Sequence, residues 1–341
     1  ETGLKAFEGC PVFYAPIDTP YTVRKALSRL RPDILVFLET EIWPAWLTEA
    51  HRMGIRIALV NGRISVRSIG KYLRIRPFFR DVLRNMDAFS MIRREDAERI
   101  LAMGAEPGEV RISGNAKYEL LAQEADPATE EEMRRILNLD PLQPVLVAGS
   151  TRSGEEALIL DAYQRISARF PDTVLLLAPR HVARTRQIES LLRDRGVPYR
   201  LRTDLDDGDP KRTEPVVLVN KFGELFKLYS VGTINFCGAS LVPLGGQNPL
   251  EPAAWGKAAF YGPSMEDFLD AKDLLEKVGA GIGISNSAEL AERAIWYLEH
   301  PQDLKARGDS AREALLCNKG AAETHARVIA GLLGIGGHPC A

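Results

Sequence analysis

The 341-residue sequence predicts an α/β protein with two doubly wound domains. Short apolar segments alternate with helical patterns from one end of the chain to the other. Most of these segments are continuous rather than interrupted by polar residues, as expected for parallel strands that are buried on both faces. An acidic, proline-containing helical stretch at 121–142 interrupts the alternation. The chain is long enough for a separate hydrophobic core on each side of that interruption.

A helical pattern separates most successive pairs of predicted strands, which indicates parallel sheets. In chain order the strands are Asp33–Leu38, Ile55–Val60, Ala88–Ile92, Pro144–Ala148, Thr173–Ala178, Pro215–Val219, Val231–Cys237 and Ala258–Tyr261. The predicted helices include Arg94–Met103, Gly154–Phe170, Val182–Arg195, Glu266–Val278 and Ala321–Leu333. We place the domain boundary near Ala125. Residues 1–125 then form the first domain, 126–334 the second, and 335–341 a tail.

Composition and charge disfavour several classes of function. The net charge of −2 gives the protein no overall attraction to nucleic acid. Residues 1–122 carry a net charge of +4 and the remainder −6, so the first part is the better partner for an anionic surface. The cysteines have no CxxC or metal-finger spacing and the histidines are scattered. We therefore expect no metal site.

Two common nucleotide-binding motifs are missing from the sequence. The nearest match to GxGxxG begins at Gly279, but it follows a predicted helix instead of a strand and lacks the final glycine. No Walker A motif is present. Both hydride transfer and phosphoryl transfer are therefore disfavoured.

Candidate functional residues of the first domain lie where predicted strands end, because ligands of doubly wound sheets bind there. Glu39 and Glu41 directly follow a strand and precede Pro44. One carboxylate could act on a proton or electrostatically, or both could cap the next helix, and position favours neither reading. Lys117 is predicted to lie on a glycine-containing loop that follows a short strand. It could stabilise a leaving phosphate, although an exposed surface lysine is the commoner case.

Three loops of the second domain are candidates for an anion site. The loop at 149–156 offers small residues and backbone N–H groups at a helix N-terminus, or simply acids that interact with the helix dipole. The segment Pro179–His181 ends a strand, and Arg180 suits planar contact with phosphate; a solvated basic turn is the alternative. The segment Phe222–Glu224 opens a helix, and Gly223 allows close backbone approach, which is a weak signal alone.

The stretch GGQNPLE at 245–251 is the most specific of the candidate loops. Pro249 suits the start of a helix, and Glu251 would lie in its first turn. An acid in that position can accept hydrogen bonds from two ribose hydroxyls. A purely structural loop is the alternative, but it would not need so many glycines beside Asn248 and Glu251.

A basic segment at 63–84 contains seven Lys and Arg residues, one acid, and interleaved aromatic residues. The basic residues are Arg63, Arg67, Lys71, Arg74, Arg76, Arg80 and Arg84. Such a surface suits an anionic membrane or a phosphorylated lipid. A solvated basic helix face explains the pattern equally well.

Taken together, these stretches resemble the Kdo transferases, which add 3-deoxy-D-manno-octulosonic acid (Kdo) to lipid A precursors. The resemblance rests on ETGLKAF, YAPIDTP, PDILVFLETEIWP, NGRIS-RS, ISGNAKYE, AGSTRSGEE, APRH, FGEL and GGQNPLE, in that order along nearly the whole chain. It implies the GT-B architecture, in which two Rossmann-like domains face each other across a cleft. It also implies an inverting, metal-independent transfer from CMP-β-Kdo to a lipid A precursor (lipid IVA), without a cofactor. The expected location is the cytoplasmic face of the inner membrane, contacted through segment 63–84.

The same resemblance implies roles for individual residues. Glu39 and Lys117 would stabilise the transition state. CMP would be held by Pro179, Arg180, Phe222, Gly223, Glu224, Asn248, Pro249, Leu250 and Glu251. The sequence departs from the family at Gln247, where a His is usual, and at Phe222, where a Met is common.

The family's proposed general base is a Glu in an SVGE-like motif near the N-terminus, and this sequence contains no such motif. The family's membrane-associating N-terminal segment is missing as well. We therefore expect a first domain that is incomplete at its start and a chain that is inactive on its own. Two rival functions stay open: another GT-B transferase that uses a UDP-sugar, and a nucleotide-binding fragment without activity.

Overall fold

The computed structural model describes residues 10–206, 211–317 and 320–335. The ETGLKAF stretch and the tail from residue 336 onward lie outside the described residues. The chain divides into two compact units, one formed by 1–116 with 320–341 and the other by 117–319. Within the described ranges, no helix combines the length and the apolar character that a membrane crossing needs.

The first unit is built on a four-stranded parallel sheet in which the described strands lie in the order β1–β2–β3–β4. These strands are β1 (Ile34–Leu38), β2 (Arg56–Gly62), β3 (Ala88–Met91) and β4 (Val110–Ile112). The helices between and before them are α1 (Pro20–Leu30), α2 (Pro44–Arg52), α3 (Val66–Arg74), α4 (Arg76–Leu83) and α5 (Arg94–Met103). Fully buried side chains such as Leu27, Leu47 and Ile57 join α1 and α2 to the sheet in one core.

The second unit is built on a seven-stranded parallel sheet with the order β11–β10–β9–β5–β6–β8–β7 among the described residues. Its strands are β5 (Val145–Thr151), β6 (Val174–Pro179), β7 (Tyr199–Leu201), β8 (Val216–Leu218), β9 (Ile234–Cys237), β10 (Ala259–Tyr261) and β11 (Gly281–Gly283). Its helices are α6 (Ala116–Glu124), α7 (Pro127–Ile136), α8 (Glu155–Arg169), α9 (Thr185–Asp194), α10 (Leu225–Val231), α11 (Leu250–Ala254), α12 (Leu269–Lys277), α13 (Ser287–Glu299) and α14 (Pro301–Cys317). The strand order reverses beside β5, which places β5 and β9 on either side of the topological switch point.

All of the predicted strands are confirmed, with shifted ends. The sequence did not predict β7 and β11, which are the two edge strands of the second sheet. Each is three residues long, and β11 consists of a single isoleucine between two glycines. Edge strands are short and exposed on one side, so they do not need a continuous apolar segment.

The last helix, α15 (Ala321–Leu332), belongs to the first unit, which differs from the predicted domain boundaries. Its buried Val328 forms a hydrophobic cluster with Ala58 and Val60 of β2 and with Ala88 of β3. At the other boundary, residues 117–125 belong to the second unit, because side chains of α6 join its core. Contacts distant in sequence therefore decide both boundaries, and an interruption of the local pattern does not reveal them.

A buried carboxylate joins the loops that follow β5 and β9. Glu155, the first residue of α8, has its Oε2 2.9 Å from the backbone N of Arg152 and 2.6 Å from that of Ala239. Its Oε1 accepts the N–H groups of Ser240 and Leu241, each at 2.9 Å. Burial raises the pKa of Glu155, and the four N–H donors oppose that rise. One side chain thus fixes both loops at the switch point of the sheet.

Replacing Glu155 with Gln should destabilise the second unit. The amide removes the negative charge and points an NH₂ group at N–H donors, which leaves buried donors without a partner. Because hydrogen bonds to charged groups contribute roughly 1.5–3 kcal/mol each, we expect Glu155→Gln to lower the free energy of unfolding by about 3 kcal/mol or more. Urea unfolding at pH 7 measures the change. The control Glu131→Gln alters an exposed residue of α7 and should change stability by less than about 0.5 kcal/mol. Equal effects of the two substitutions would contradict the assigned role.

Candidate functional site

Glu39 lies directly after β1 with its backbone in the left-handed region, at φ 59°. Its N–H donates to the carbonyl of Val60 at 3.2 Å, and its own carbonyl accepts the N–H of Arg63 at 3.3 Å. Non-glycine residues are uncommon in this conformation and cluster at functional sites. The residues at and just after the end of β2 therefore fix the backbone of Glu39 at the edge of the sheet where ligands bind, and its side chain is half-buried there.

The alternative reading, that Glu39 and Glu41 cap α2, is wrong. Asp18 does this instead, because its Oδ1 accepts the backbone N–H groups of Ala45 and Trp46, each at 3.1 Å. The helix has no acid in its first turn. Neither carboxylate after β1 is needed to start the helix.

Lys117 lies in the first turn of α6 and is exposed, whereas the sequence placed it on the preceding loop. That helix begins at Ala116, whose N–H donates to Oδ1 of Asn61 at 3.0 Å. A helix N-terminus carries partial positive charge, so a lysine there concentrates positive charge that an anion can neutralise.

The second unit contains a cleft of about 330 Å³ at the carboxyl ends of β5, β6 and β8. Its lining residues are Leu121, Glu124, Ser150, Ala178, Pro179, Arg180, Val182, Val219, Lys221, Phe222, Gly223, Leu225, Phe226 and Glu251. Five of the nine residues for which the family resemblance implies CMP binding are among them: Pro179, Arg180, Phe222, Gly223 and Glu251. A mostly apolar lining with a few charged groups is typical of small-molecule sites.

Two basic side chains line this cleft. Arg180 is exposed, and its guanidinium has no ion-pair partner among the described residues. Lys221 forms an ion pair with Asp206, with Nζ 3.2 Å from both carboxylate oxygens. In the described part of the chain, no group of three or more His, Cys, Asp and Glu residues is placed to hold a metal ion. The positive charge that the described residues bring to the cleft comes from these two side chains.

Glu251 lies in the first turn of α11 with its side chain partly buried. No described residue donates a hydrogen bond to its carboxylate. Burial raises the pKa of Glu251 to about 7, although the positive charge of Arg180 lowers it. A carboxyl group that titrates near neutral pH inside a cleft is characteristic of functional sites.

The other four implicated residues do not line the cleft. Glu224 pairs with the buried Arg202 at 2.9 Å and with Lys221 at 3.5 Å. Oδ1 of Asn248 accepts the N–H of Leu250 at 3.1 Å and so starts the short helix α11. Leu250 and its neighbour Pro249 are buried. These contacts stabilise the surrounding loops, and a role in holding CMP stays a prediction for all four residues.

In the loop at 149–156, Ser150 lines the cleft, whereas the two acids have partners within the protein. Ser150 lines the cleft and is buried, with a left-handed backbone at φ 54°. Glu156 instead pairs with Arg184, at 2.6 and 3.0 Å, and Glu155 holds backbone N–H groups. The sequence singled out this loop but not Ser150, because nothing about a serine signals a left-handed backbone.

Comparison with known proteins gives a consistent family assignment. Residues 1–120 match the family model described as 3-deoxy-D-manno-octulosonic-acid transferase (kdotransferase). The 3-deoxy-D-manno-octulosonic acid transferase of Aquifex aeolicus is 30% identical over 302 residues, which cover 89% of this chain and 76% of the relative. That of Haemophilus influenzae is 29% identical over 325 residues, covering 93% and 74%. A bifunctional glycosyltransferase/methyltransferase of Fusobacterium nucleatum is 34% identical over 293 residues, but the match covers 86% of this chain and only 45% of that protein.

Solved structures share the fold at low sequence identity. The S. aureus MnaA–UDP co-structure matches with a TM-score of 0.63 and 11% identity, covering 98% of this chain and 87% of that one. Anabaena Alr3699/HepE in complex with UDP matches with a TM-score of 0.61 and 12% identity, covering 92% and 82%. These likenesses confirm the predicted α/β fold class of the GT-B type.

Replacing Glu251 with Gln should make stability less dependent on pH. The folded protein raises the pKa of Glu251 from 4.5 to about 7, so its contribution to stability is full below pH 4.5 and is lost as pH rises through 7. Between pH 5 and pH 8, the free energy of unfolding of Glu251→Gln should rise by about 2 kcal/mol relative to that of wild type, allowing for solvent screening in the open cleft. Urea unfolding at both pH values measures this. The control Glu124→Gln alters an exposed residue of the same cleft. Its free energy of unfolding should differ from that of wild type by the same amount at pH 5 and at pH 8. The same result for Glu251→Gln would contradict the prediction.

Proposed function

The chain belongs to the 3-deoxy-D-manno-octulosonic acid (Kdo) transferase family, and from this we propose that the whole protein transfers Kdo from CMP-β-Kdo to a lipid A precursor, lipid IVA. The observation that carries the proposal is the pairing of Arg180 and Glu251 in one cleft of the second unit. Among the described residues, the first is a cation without an ion-pair partner and the second is a carboxylate that accepts no hydrogen bond. A nucleoside monophosphate carries a phosphate that can pair with Arg180 and ribose hydroxyls that can donate hydrogen bonds to Glu251.

In the proposed complex, Arg180 contacts the phosphate of CMP through its planar guanidinium. Glu251 accepts hydrogen bonds from the ribose hydroxyls. Phe222, whose side chain is 87% exposed, offers an aromatic face against which the cytosine ring can stack. Gly223 adopts φ 85°, and no described residue other than its chain neighbours lies within 4 Å of the position that a Cβ would occupy, so a ligand can approach its backbone.

The proposed chemistry is a single displacement with inversion. A carboxylate removes the proton from a hydroxyl group of the acceptor, and that oxygen attacks the anomeric carbon of Kdo. The bond between this carbon and the phosphate oxygen breaks, and its electron pair leaves with CMP. Arg180 and Lys117 stabilise the charge that develops on the departing phosphate, and Glu39 stabilises the transition state. Fixed cations take the part that a metal ion plays in other transferases, so we propose a metal-independent reaction.

Kdo transfer by the whole protein tests this function. Lys117→Ala and Arg180→Ala should each lower kcat by about 100-fold or more, because each removes a group that stabilises charge in the transition state. Transfer of radiolabelled Kdo from CMP-Kdo to lipid IVA is the measurement. The control Arg186→Ala removes an exposed arginine of α9 and should leave kcat unchanged. Unchanged turnover in both variants would remove the assigned roles.

Nucleotide binding separates this function from its rivals. Calorimetry of CMP and UDP binding to the 341-residue chain should give tighter binding of CMP, weakened by Arg180→Ala. A preference for UDP would favour a transferase that uses a UDP-sugar. Binding of CMP without transfer by the whole protein would favour a nucleotide-binding role.

The basic segment 63–84 supports a further part of the proposal, contact with the cytoplasmic face of the inner membrane. Lys71 and Arg74 are exposed and make no ion pair with another described residue. Beside them Ile75 and Phe78 expose 53% and 50% of their surfaces. Phe79, in contrast, is buried in the core of the first unit, so not every aromatic residue of the segment is available as an anchor. Exposed cations beside apolar side chains suit an anionic lipid surface.

Removing these two cations should weaken binding to anionic vesicles. A basic residue near an anionic surface contributes about 1 kcal/mol, so the double variant Lys71→Ala/Arg74→Ala should bind about thirtyfold more weakly. Co-sedimentation with phosphatidylglycerol-containing and neutral phosphatidylcholine vesicles measures this. The control Arg94→Ala/Arg327→Ala removes equal charge from two exposed, ion-paired positions of the same unit. Equal losses in both double variants, or equal binding to both kinds of vesicle, would contradict the assigned surface.

A further inference from the structure

His325 of α15 is a buried histidine whose two ring nitrogens both form hydrogen bonds within the first unit. Its Nε2 lies 3.1 Å from the carbonyl oxygen of Gly114. A carbonyl can only accept, so Nε2 carries the proton. Its Nδ1 lies 2.8 Å from Oγ of Ser90 and 3.4 Å from the backbone N of Asn61, whose N–H donates to it. Burial lowers the pKa of His325, in keeping with a neutral ring that accepts at Nδ1.

These bonds extend to the loop at 113–115. Oγ of Ser90 lies 2.5 Å from Oγ of Ser113. Because Ser90 donates its hydroxyl proton to Nδ1 of His325, Ser113 donates to Ser90. The loop is therefore connected to His325 at two consecutive residues, at Ser113 through Ser90 and at Gly114 directly.

The backbone of the same loop also contacts α15. Gly114 adopts φ 84°, and a Cβ placed there would lie 3.2 Å from Cβ of Ala321. The loop thus needs glycine for its left-handed backbone and for the close approach of the helix. This contact is independent of the histidine and keeps α15 against the loop.

Asn61 joins the network to the start of α6. Its backbone is left-handed at φ 50°, its N–H faces His325, and its side-chain Oδ1 accepts the N–H of Ala116. Ala116 is the residue before Lys117. The end of β2, the loop after β4 and the first residue of α6 are therefore held around one imidazole ring.

We propose that His325 is a positioning residue, which fixes the loop at 113–115 and the start of α6 so that Lys117 is presented in one orientation. Among the described residues, the ring's hydrogen-bond partners are Gly114, Ser90 and Asn61, none of which the proposed chemistry uses directly, so it acts through them. This inference rests on the proposed function only in that Lys117 acts in Kdo transfer. The hold of His325 on the loop does not depend on that function.

The experiment compares His325→Ala and His325→Gln with wild type, and uses the exposed His300→Ala as a matched control. In the whole protein, His325→Ala should lower kcat for Kdo transfer at least tenfold, while KM for CMP-Kdo and the Kd of CMP change less than twofold. His325→Gln should recover most of the loss, because its amide N–H can donate to the carbonyl of Gly114. Hydrogen exchange of the backbone amides at 113–117 should be at least tenfold faster in His325→Ala and close to wild type in His325→Gln.

The two possible failures are distinguishable. Wild-type protein that transfers no Kdo would overturn the proposed function, and hydrogen exchange at 113–117 would still decide whether His325 holds the loop. Unchanged exchange in His325→Ala would overturn the inference. A stability loss with unchanged kcat in the folded variant would also overturn it, because His325 would then be structural only. Should His325→Ala fail to fold, Ser90→Ala removes one bond to Nδ1 and should give a smaller change of the same kind; no change in kcat or exchange would count against the proposal.

Discussion

The carboxylate of Glu155 is the interaction on which the arrangement of the second unit depends. In dinucleotide-binding folds, the helix after the first strand and the loop after the fourth meet a pyrophosphate at the switch point of the sheet. Here Glu155 supplies an anion from the chain itself and uses the N–H groups of residues 239–241. These backbone donors are consequently unavailable to a ligand. In the proposed complex, recognition of the phosphate falls to side chains such as Arg180, and the site needs no GxGxxG motif.

The central strands of both sheets could be predicted because burial on two faces demands continuous apolar segments. The same reasoning fails at the edges, where β7 and β11 are three residues long and need no such segment. It also fails for α15, since an amphipathic helix does not reveal which core receives it. Contacts far away in sequence assign it to the first unit, among them the packing of Val328 against β2 and β3.

Part of the candidate site could likewise be predicted from the sequence, and part could not. Strand ends followed by polar or glycine-containing loops identified Arg180 and Glu251, because the carboxyl edge of a parallel sheet is where such loops converge. Whether a side chain in those loops points into the cleft was not predictable. Glu224 and Asn248 belong to the same motifs but have partners within the protein. Ser150 was overlooked, since its left-handed backbone leaves no mark in the sequence.

Several features of the cleft are unfavourable for the protein alone. Glu251 is partly buried and accepts no hydrogen bond from a described residue, Phe222 exposes most of an aromatic ring, and Ser150 has a backbone conformation that costs energy in a non-glycine residue. Rigid neighbours are required to maintain such features, and the fixed loops at the ends of β5 and β9 provide them. A ligand that donates hydroxyl groups, stacks on an aromatic ring and carries a phosphate would relieve the first two costs at once. These costs, which a bound nucleotide would offset, therefore agree with the nucleotide complex proposed for this cleft.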